Sequence, residues 1–315
     1  MTFLKLSFSA GLVYWLISTD RFKLSELENF LTPPNLLIAF ILVGLGLLIM
    51  TERWRGLIQS QGYSLSRLEI IRLNLIGLFF NFAVPGGVGG DVIKAHYLQK
   101  DLQIPRAVSY SSALMDRISG LYTFVLLALS GLIFEIFYLK VSNSTLNQLL
   151  FWVCFIFLGM TTFFVGLKYF KTTELQMSDS GIKGKFFRFS FACKGFVQNP
   201  KILLIAIFTT VLAQSTTLLF FNWFIETVMN ETVSGPLLFF VVPLGFMLMA
   251  IPITPAGVGV GQAAFYFLFH TFSEGKINSG SSVITAFQLM LFAWGLVGSY
   301  FYLTKKNRSH ISAEI

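Results

Sequence analysis

Nine apolar runs separated by short polar stretches constrain this chain more than any single motif does. They occupy roughly 6–18, 35–51, 70–84, 112–139, 148–167, 202–225, 236–253, 262–272 and 283–303. Runs of this kind suit helices in a hydrocarbon core, where a helix satisfies its own backbone N–H and C=O groups. Only 12% of the 315 residues are charged, against about 25% in a typical soluble domain, and the mean hydropathy is +0.71. A disordered chain, a secreted disulfide scaffold and a cytosolic enzyme are thereby excluded. The reading is an all-α polytopic membrane protein. Cys154 and Cys193 form no ligand cluster and are expected as free thiols.

The formal charge of +8 takes its meaning from where the cations fall. Arg53, Arg55, Arg67 and Arg72 precede the third run, and Lys94, Lys100, Arg106 and Arg117 follow it. Seven more lie in 168–201, three in the tail, and Lys5 starts the chain, while Arg21, Lys23, Lys140 and Lys276 lie elsewhere. The positive-inside rule assigns the larger set of 19 to the cytoplasm. The charge therefore marks a membrane face, and no nucleic-acid partner is expected.

Segment 70–90 has basic sequence on both sides, so it is expected to enter the membrane and return. Segment 236–273 is its mirror image: 226–235 carries Glu226 and Glu231 without Lys or Arg, and 274–282 carries Lys276 alone. About six spanning helices then remain (6–18, 35–51, 112–139, 148–167, 202–225, 283–303), with both termini cytoplasmic. The first is the weakest; it resembles a signal peptide, but no clear small-residue cleavage site follows it.

Both re-entrant segments break at nearly the same sequence. At an offset of 170, Pro85, Gly87, Val88 and Gly89 match Pro255, Gly257, Val258 and Gly259. The same offset carries 35–51 onto 205–221 and 112–133 onto 282–303. The expectation is a single transmembrane domain with two re-entrant broken hairpins arranged as an inverted repeat. Repeat one spans about 35–139 and repeat two about 202–303, with a basic cytoplasmic linker at about 168–201.

Non-helical backbone survives at membrane depth only where protein or a water-filled cavity satisfies it. A half-helix restarting there has free N–H groups and the positive end of its dipole, which suits phosphate. The alternative is that these glycines only allow a tight hairpin; two symmetric breaks favour the ligand site. Candidate binding residues are Gly87, Gly89, Gly90, Asp91, Lys94, Asp116 and Arg117 at the first break, and Gly257, Gly259, Gly261 and Gln262 at the second. Asp91 is expected to cap the returning half-helix and to partner Arg117 or Lys94. Lys94 and Arg117 either bind phosphate directly or snorkel to the interface. His96 and His270 are read as interfacial. Glu135, Gln214 and Gln288 either line the path or hydrogen-bond between helices.

Pro85-Gly-Gly-Val-Gly-Gly-Asp-Val-Ile-Lys94, Ala113-Leu-Met-Asp-Arg-Ile-Ser-Gly-Leu121 and Thr254-Pro-Ala-Gly-Val-Gly259 resemble the lysylphosphatidylglycerol synthase transmembrane-region family of flippase-like proteins, and the resemblance covers nearly the whole chain. It implies an inner (plasma) membrane protein that moves a phosphate-bearing lipid between leaflets. The implied cargo is aminoacyl-phosphatidylglycerol or a polyprenyl-phosphate-linked lipid, and the implied partner an anionic phospholipid or polyprenyl-phosphate lipid. Lys94 stands where arginine is common, keeping the charge but losing the planar fork. Gln262 stands where an acidic residue is common, which weakens the case for proton or cation coupling there.

An enzyme is not expected. Twelve residues follow the last crossing, too few for a soluble synthase domain, and no Gly-x-Ser-x-Gly, His-Glu-x-x-His or Cys pair occurs. No cofactor or metal is expected either. The second function class is an accessory or scaffold subunit for a partner glycosyl- or aminoacyl-transferase. The basic, aromatic stretch from Lys183 to Lys194 gives it some support, although an interfacial helix on anionic lipid is the favoured reading of that stretch. A homo-oligomer is compatible with all of this.

Overall fold

The computed structural model describes residues 2–23, 25–83, 89–141, 144–169, 182–198, 200–251 and 253–311. Among them there is no strand; the protein is an all-α polytopic membrane protein. Helix α1 is Thr2–Ser18, α2 is Ser25–Phe30 and α3 is Pro33–Gln59. The first broken segment gives α4 (Arg67–Ala83) and α5 (Gly89–Leu102), followed by α6 (Arg106–Ile133) and α7 (Ser144–Tyr169). In the linker lies α8 (Ile182–Gln198), then α9 (Pro200–Trp223). The second broken segment gives α10 (Gly235–Met249) and α11 (Val260–Phe272), and α12 (Gly280–Ile311) closes the chain.

Among the described residues, five helices are long and apolar enough to cross a membrane: Pro33–Gln59, Arg106–Tyr138, Ser144–Tyr169, Lys201–Val228 and Gly280–Thr304. The sixth expected crossing is α1, whose 17 residues extend about 26 Å at 1.5 Å per residue. That is shorter than a hydrocarbon core of about 30 Å. Helix α7 leaves Phe151, Trp152, Phe155 and Leu158 exposed, as a helix bathed in lipid does.

Local sequence explains the breaks. Pro33 and Pro34 open α3, their missing donors falling where a helix has no acceptor. Ser234 caps α10, its hydroxyl accepting from Leu237 N at 3.4 Å. At the second break Thr254 is extended, Pro255–Gly257 forms a 3₁₀ turn, and Ala256, Gly257 and Gly259 take φ of 47°, 73° and 87°. The chain thus ends one half-helix and starts another without a continuous ladder. Most of the first break, residues 84–88, including the candidate Gly87, lies outside the described residues.

The two half-helices of each segment pack against each other, α4 on α5 and α10 on α11. Gly90 approaches Gly77 so closely that a methyl group there would sit 2.0 Å from Gly77 O and 2.6 Å from Asn81 Oδ1. Only glycine fits. Across the molecule the packing is reciprocal. Helix α4 lies on α12, with Phe82 against Phe292 at 5.5 Å and Arg72 over Phe301 at 5.6 Å. Helix α10 lies on α6, with Phe246 stacked on Phe124 at 5.8 Å. Helices α3 and α9 cross antiparallel, Gly46 meeting Thr216, the residue 170 positions later.

The core is aromatic: Phe220, Phe221, Phe224, Phe240, Phe265 and Phe269 are all fully buried. Helix α8 is also anchored, with Phe196 and Cys193 buried against Leu57 and Met115. Both cysteines are free, and burial pushes the Cys193 thiol up to about 12. Beside the start of α12, Ser282 Oγ donates to Glu26 of α2. Burial raises the Glu26 carboxyl above its ordinary value despite that bond, and Glu231 adds to the shift. A raised folded-state value means that the folded protein holds this proton more tightly than the unfolded chain. Stability contributed here is therefore present at low pH and falls as pH rises from the ordinary carboxylate range through the raised value. Glu26→Gln keeps an acceptor for Ser282 and should flatten that slope; thermal unfolding across pH checks this.

Candidate functional site

Five ionised side chains from three helices meet between the two halves of the molecule. Asp116 of α6 accepts from Arg53 Nε of α3 at 2.7 Å and from Lys94 Nζ of α5 at 3.2 Å. Lys94 Nζ also lies 3.2 Å from Asp91 Oδ1, and Arg117 Nη1 lies 3.0 Å from Asp91 Oδ2. Arg53 Nη1 donates to Thr210 Oγ1 of α9 at 2.9 Å, and Arg117 Nη2 to the Ala250 carbonyl at the end of α10 at 3.1 Å. Elements from both halves thus contribute.

Helical geometry explains the assembly. Asp91 and Lys94 are one turn apart on α5 and share a face. Asp116 and Arg117 are consecutive on α6, so they diverge by about 100°: Asp116 points to Arg53 and Lys94, Arg117 to Asp91 and α10. On α3, Trp54 lies under the Lys94 ammonium, 4.6 Å from ring centroid to Nζ. Asn74 of α4 supports the same ammonium at 3.5 Å and donates to Thr51 at 2.9 Å.

These groups line a cavity of about 360 Å³, within the range of small-ligand sites. Its floor is formed by Arg53, Lys94 and Asp116, which are 3%, 6% and 7% exposed. Toward its mouth lie Asp91 and Arg117, both half-buried. Apolar walls come from Leu47, Leu78, Phe124 and Phe246. Three cations and two carboxylates leave one positive charge without a counter-charge among the described lining residues. A buried net charge is costly, so the cavity suits an anion. A wider cleft of about 580 Å³ between α4, the end of α5 and α12 carries Glu69, Asp101 and Arg72.

Of the sequence-derived candidates, Gly90, Asp91, Lys94, Asp116 and Arg117 line the cavity; Gly89 starts α5 beside it. The second-break residues do not. Gln262 Oε1 accepts from Gly259 N at 2.7 Å, while its amide donates to Thr285 and to Gln288 Oε1 at 2.8 Å. Gln288 in turn donates to Ala256 O at 3.1 Å. Gln262 and Gln288 tie the second break together, and Gly257 and Gly261 pack on Met249. The 3₁₀ turn nevertheless touches α4.

One expectation is corrected, and one of two alternatives falls away. Asp91 is the third residue of α5, not its cap; Gly90 N is satisfied by Asn81 Oδ1 at 3.0 Å, while the expected pairing of Asp91 forms with both Lys94 and Arg117. Lys94 does not snorkel, because Asp91 and Asp116 hold its ammonium inside. Arg53 was missed, counted among the cytoplasmic flanking charges when it belongs to the floor. The sequence signal is its register: Leu47, Thr51, Trp54 and Ile58 follow helical spacing along α3, so an arginine at 53 sits inside the helix and not beyond its end. Among the described residues no His, Cys, Asp and Glu group is arranged for a metal.

The family model described as "Lysylphosphatidylglycerol synthase TM region" matches residues 2–303. The chain is also similar to the UPF0104 membrane protein MJ1595 of Methanocaldococcus jannaschii, 36% identical over 87 residues. That match covers 27% of this chain and 26% of the archaeal protein, about a quarter of its length. No solved structure matches the chain.

Proposed function

The chain belongs to the lysylphosphatidylglycerol synthase TM region family, and from that premise we propose that it translocates a phosphate-bearing lipid across the plasma (inner) membrane. The observation that carries this reading is the buried cavity with one uncompensated positive charge, built where two broken helices meet. The lipid phosphate occupies the cavity near Arg53, Lys94 and Arg117, while the acyl or prenyl tail stays in the bilayer. The reciprocal antiparallel packing of α4 on α12 and α10 on α6 supports an inverted repeat. Rocking of one half against the other then exposes the site alternately to the two leaflets. Both termini lie in the cytoplasm, and the protein acts as a carrier and not as an enzyme.

The test is translocation in isolation. Purified protein is reconstituted in liposomes carrying acyl-labelled phosphatidylglycerol, and an impermeant quencher is added outside. The expected result is quenching beyond the outer-leaflet fraction seen in protein-free vesicles. Quenching equal to that of empty vesicles, restored only when a partner transferase is added, would replace this reading with the accessory-subunit one.

A further inference from the structure

The balance of charges in the cavity narrows the class of head group it takes. All four carboxylate oxygens of Asp91 and Asp116 already face cations: Asp116 Oδ1 faces Arg53, Asp116 Oδ2 and Asp91 Oδ1 face Lys94, and Asp91 Oδ2 faces Arg117. No other ionisable side chain lines the cavity among the described residues, and residues 84–88 carry no charge. The described lining therefore carries one positive charge in excess and has no spare carboxylate for an ammonium. Neutral polar groups, the amides of Asn74 and Asn81 and the hydroxyls of Thr51 and Thr210, stand beside the cations.

We propose that the cavity selects a phosphodiester lipid whose head group carries one negative charge in total and an uncharged, hydroxyl-bearing substituent. Both a phosphomonoester and an aminoacylated head group are disfavoured. This rests on the reading of the cavity as the lipid-phosphate site. A phosphodiester brings one negative charge and neutralises the cluster. A phosphomonoester has a second ionisation near pH 6, and its extra charge overshoots. An appended ammonium would be buried without a partner, which costs more than the phosphate contact returns. The Asn and Thr groups can instead hydrogen-bond hydroxyls.

The experiment measures binding of three short-chain probes to the purified full chain in detergent: phosphatidylglycerol, phosphatidate and lysyl-phosphatidylglycerol. At about pH 8.5, phosphatidylglycerol should bind at least about tenfold tighter than either other probe, the factor expected for one unmatched charge-assisted contact. At about pH 5, where phosphatidate is mostly monoanionic, its deficit relative to phosphatidylglycerol should close. Asp91→Asn raises the cavity's net charge by one and should shift the ratio at high pH toward phosphatidate. Equal or tighter binding of phosphatidate or of the lysyl lipid at high pH overturns the selectivity and leaves the phosphate site standing. An unchanged ratio in Asp91→Asn overturns charge matching as its cause. A folded protein that binds none of the three overturns the phosphate site itself, and the selectivity with it.

Discussion

The double variant Lys94→Gln/Arg117→Gln is expected to bind an anionic phospholipid at least roughly 100-fold more weakly than the parent. Each charge-assisted hydrogen bond lost to a ligand is worth about 1.5–3 kcal/mol, and two are removed. The larger change is in sign. With Arg53 left against Asp91 and Asp116, the cavity goes from one positive to one negative charge and repels the ligand it formerly attracted. Binding and vesicle translocation should fall together while membrane insertion is retained; Asp91 is left without a cationic partner, so some thermal stability is lost as well. A double variant that inserts normally and still transports would remove the site assignment.

Asp116→Asn probes the same cluster through stability. Asp116 is the shared acceptor of two buried cations, Arg53 and Lys94. Removing one partner of a buried ion pair typically costs about 3–5 kcal/mol, because an uncompensated charge is left in low dielectric. Loss of the carboxylate leaves Arg53 without any anionic partner and Lys94 with Asp91 alone. The variant should unfold at markedly lower denaturant or temperature than the parent. The companion Arg53→Met/Lys94→Met/Asp116→Leu, which removes both cations with the anion, should recover most of the loss. If the single variant is as stable as the parent, the buried network described here is not formed.

Much of this architecture is legible in the sequence because a membrane enforces simple rules. Apolar runs of 17–28 residues can only be helices, and the Pro-Gly clusters at 85–90 and 255–261 can only interrupt them. The candidate residues at the first break were legible for the same reason: Asp91, Lys94, Asp116 and Arg117 are charges where charge is expensive. Arg53 was not, because charge counting treats an arginine near a helix end as flanking sequence. Whether it lies inside depends on α6 and α9, whose Asp116 and Thr210 receive it from 63 and 157 residues away. The second break was misleading in the opposite way. Its glycines match those of the first, yet Gln262 and Gln288 close it with side-chain amides. Matched sequence does not imply matched chemistry.

Two of the three guanidinium and ammonium groups at the cavity also clasp the opposite half of the molecule: Arg53 reaches Thr210, and Arg117 reaches the Ala250 carbonyl. Both bonds tie the two halves in the arrangement seen here. An arriving anion offers each guanidinium a better acceptor than a hydroxyl or a neutral carbonyl, so binding weakens the two bonds that hold the resting arrangement. On the proposed carrier reading, cargo and key are then the same molecule.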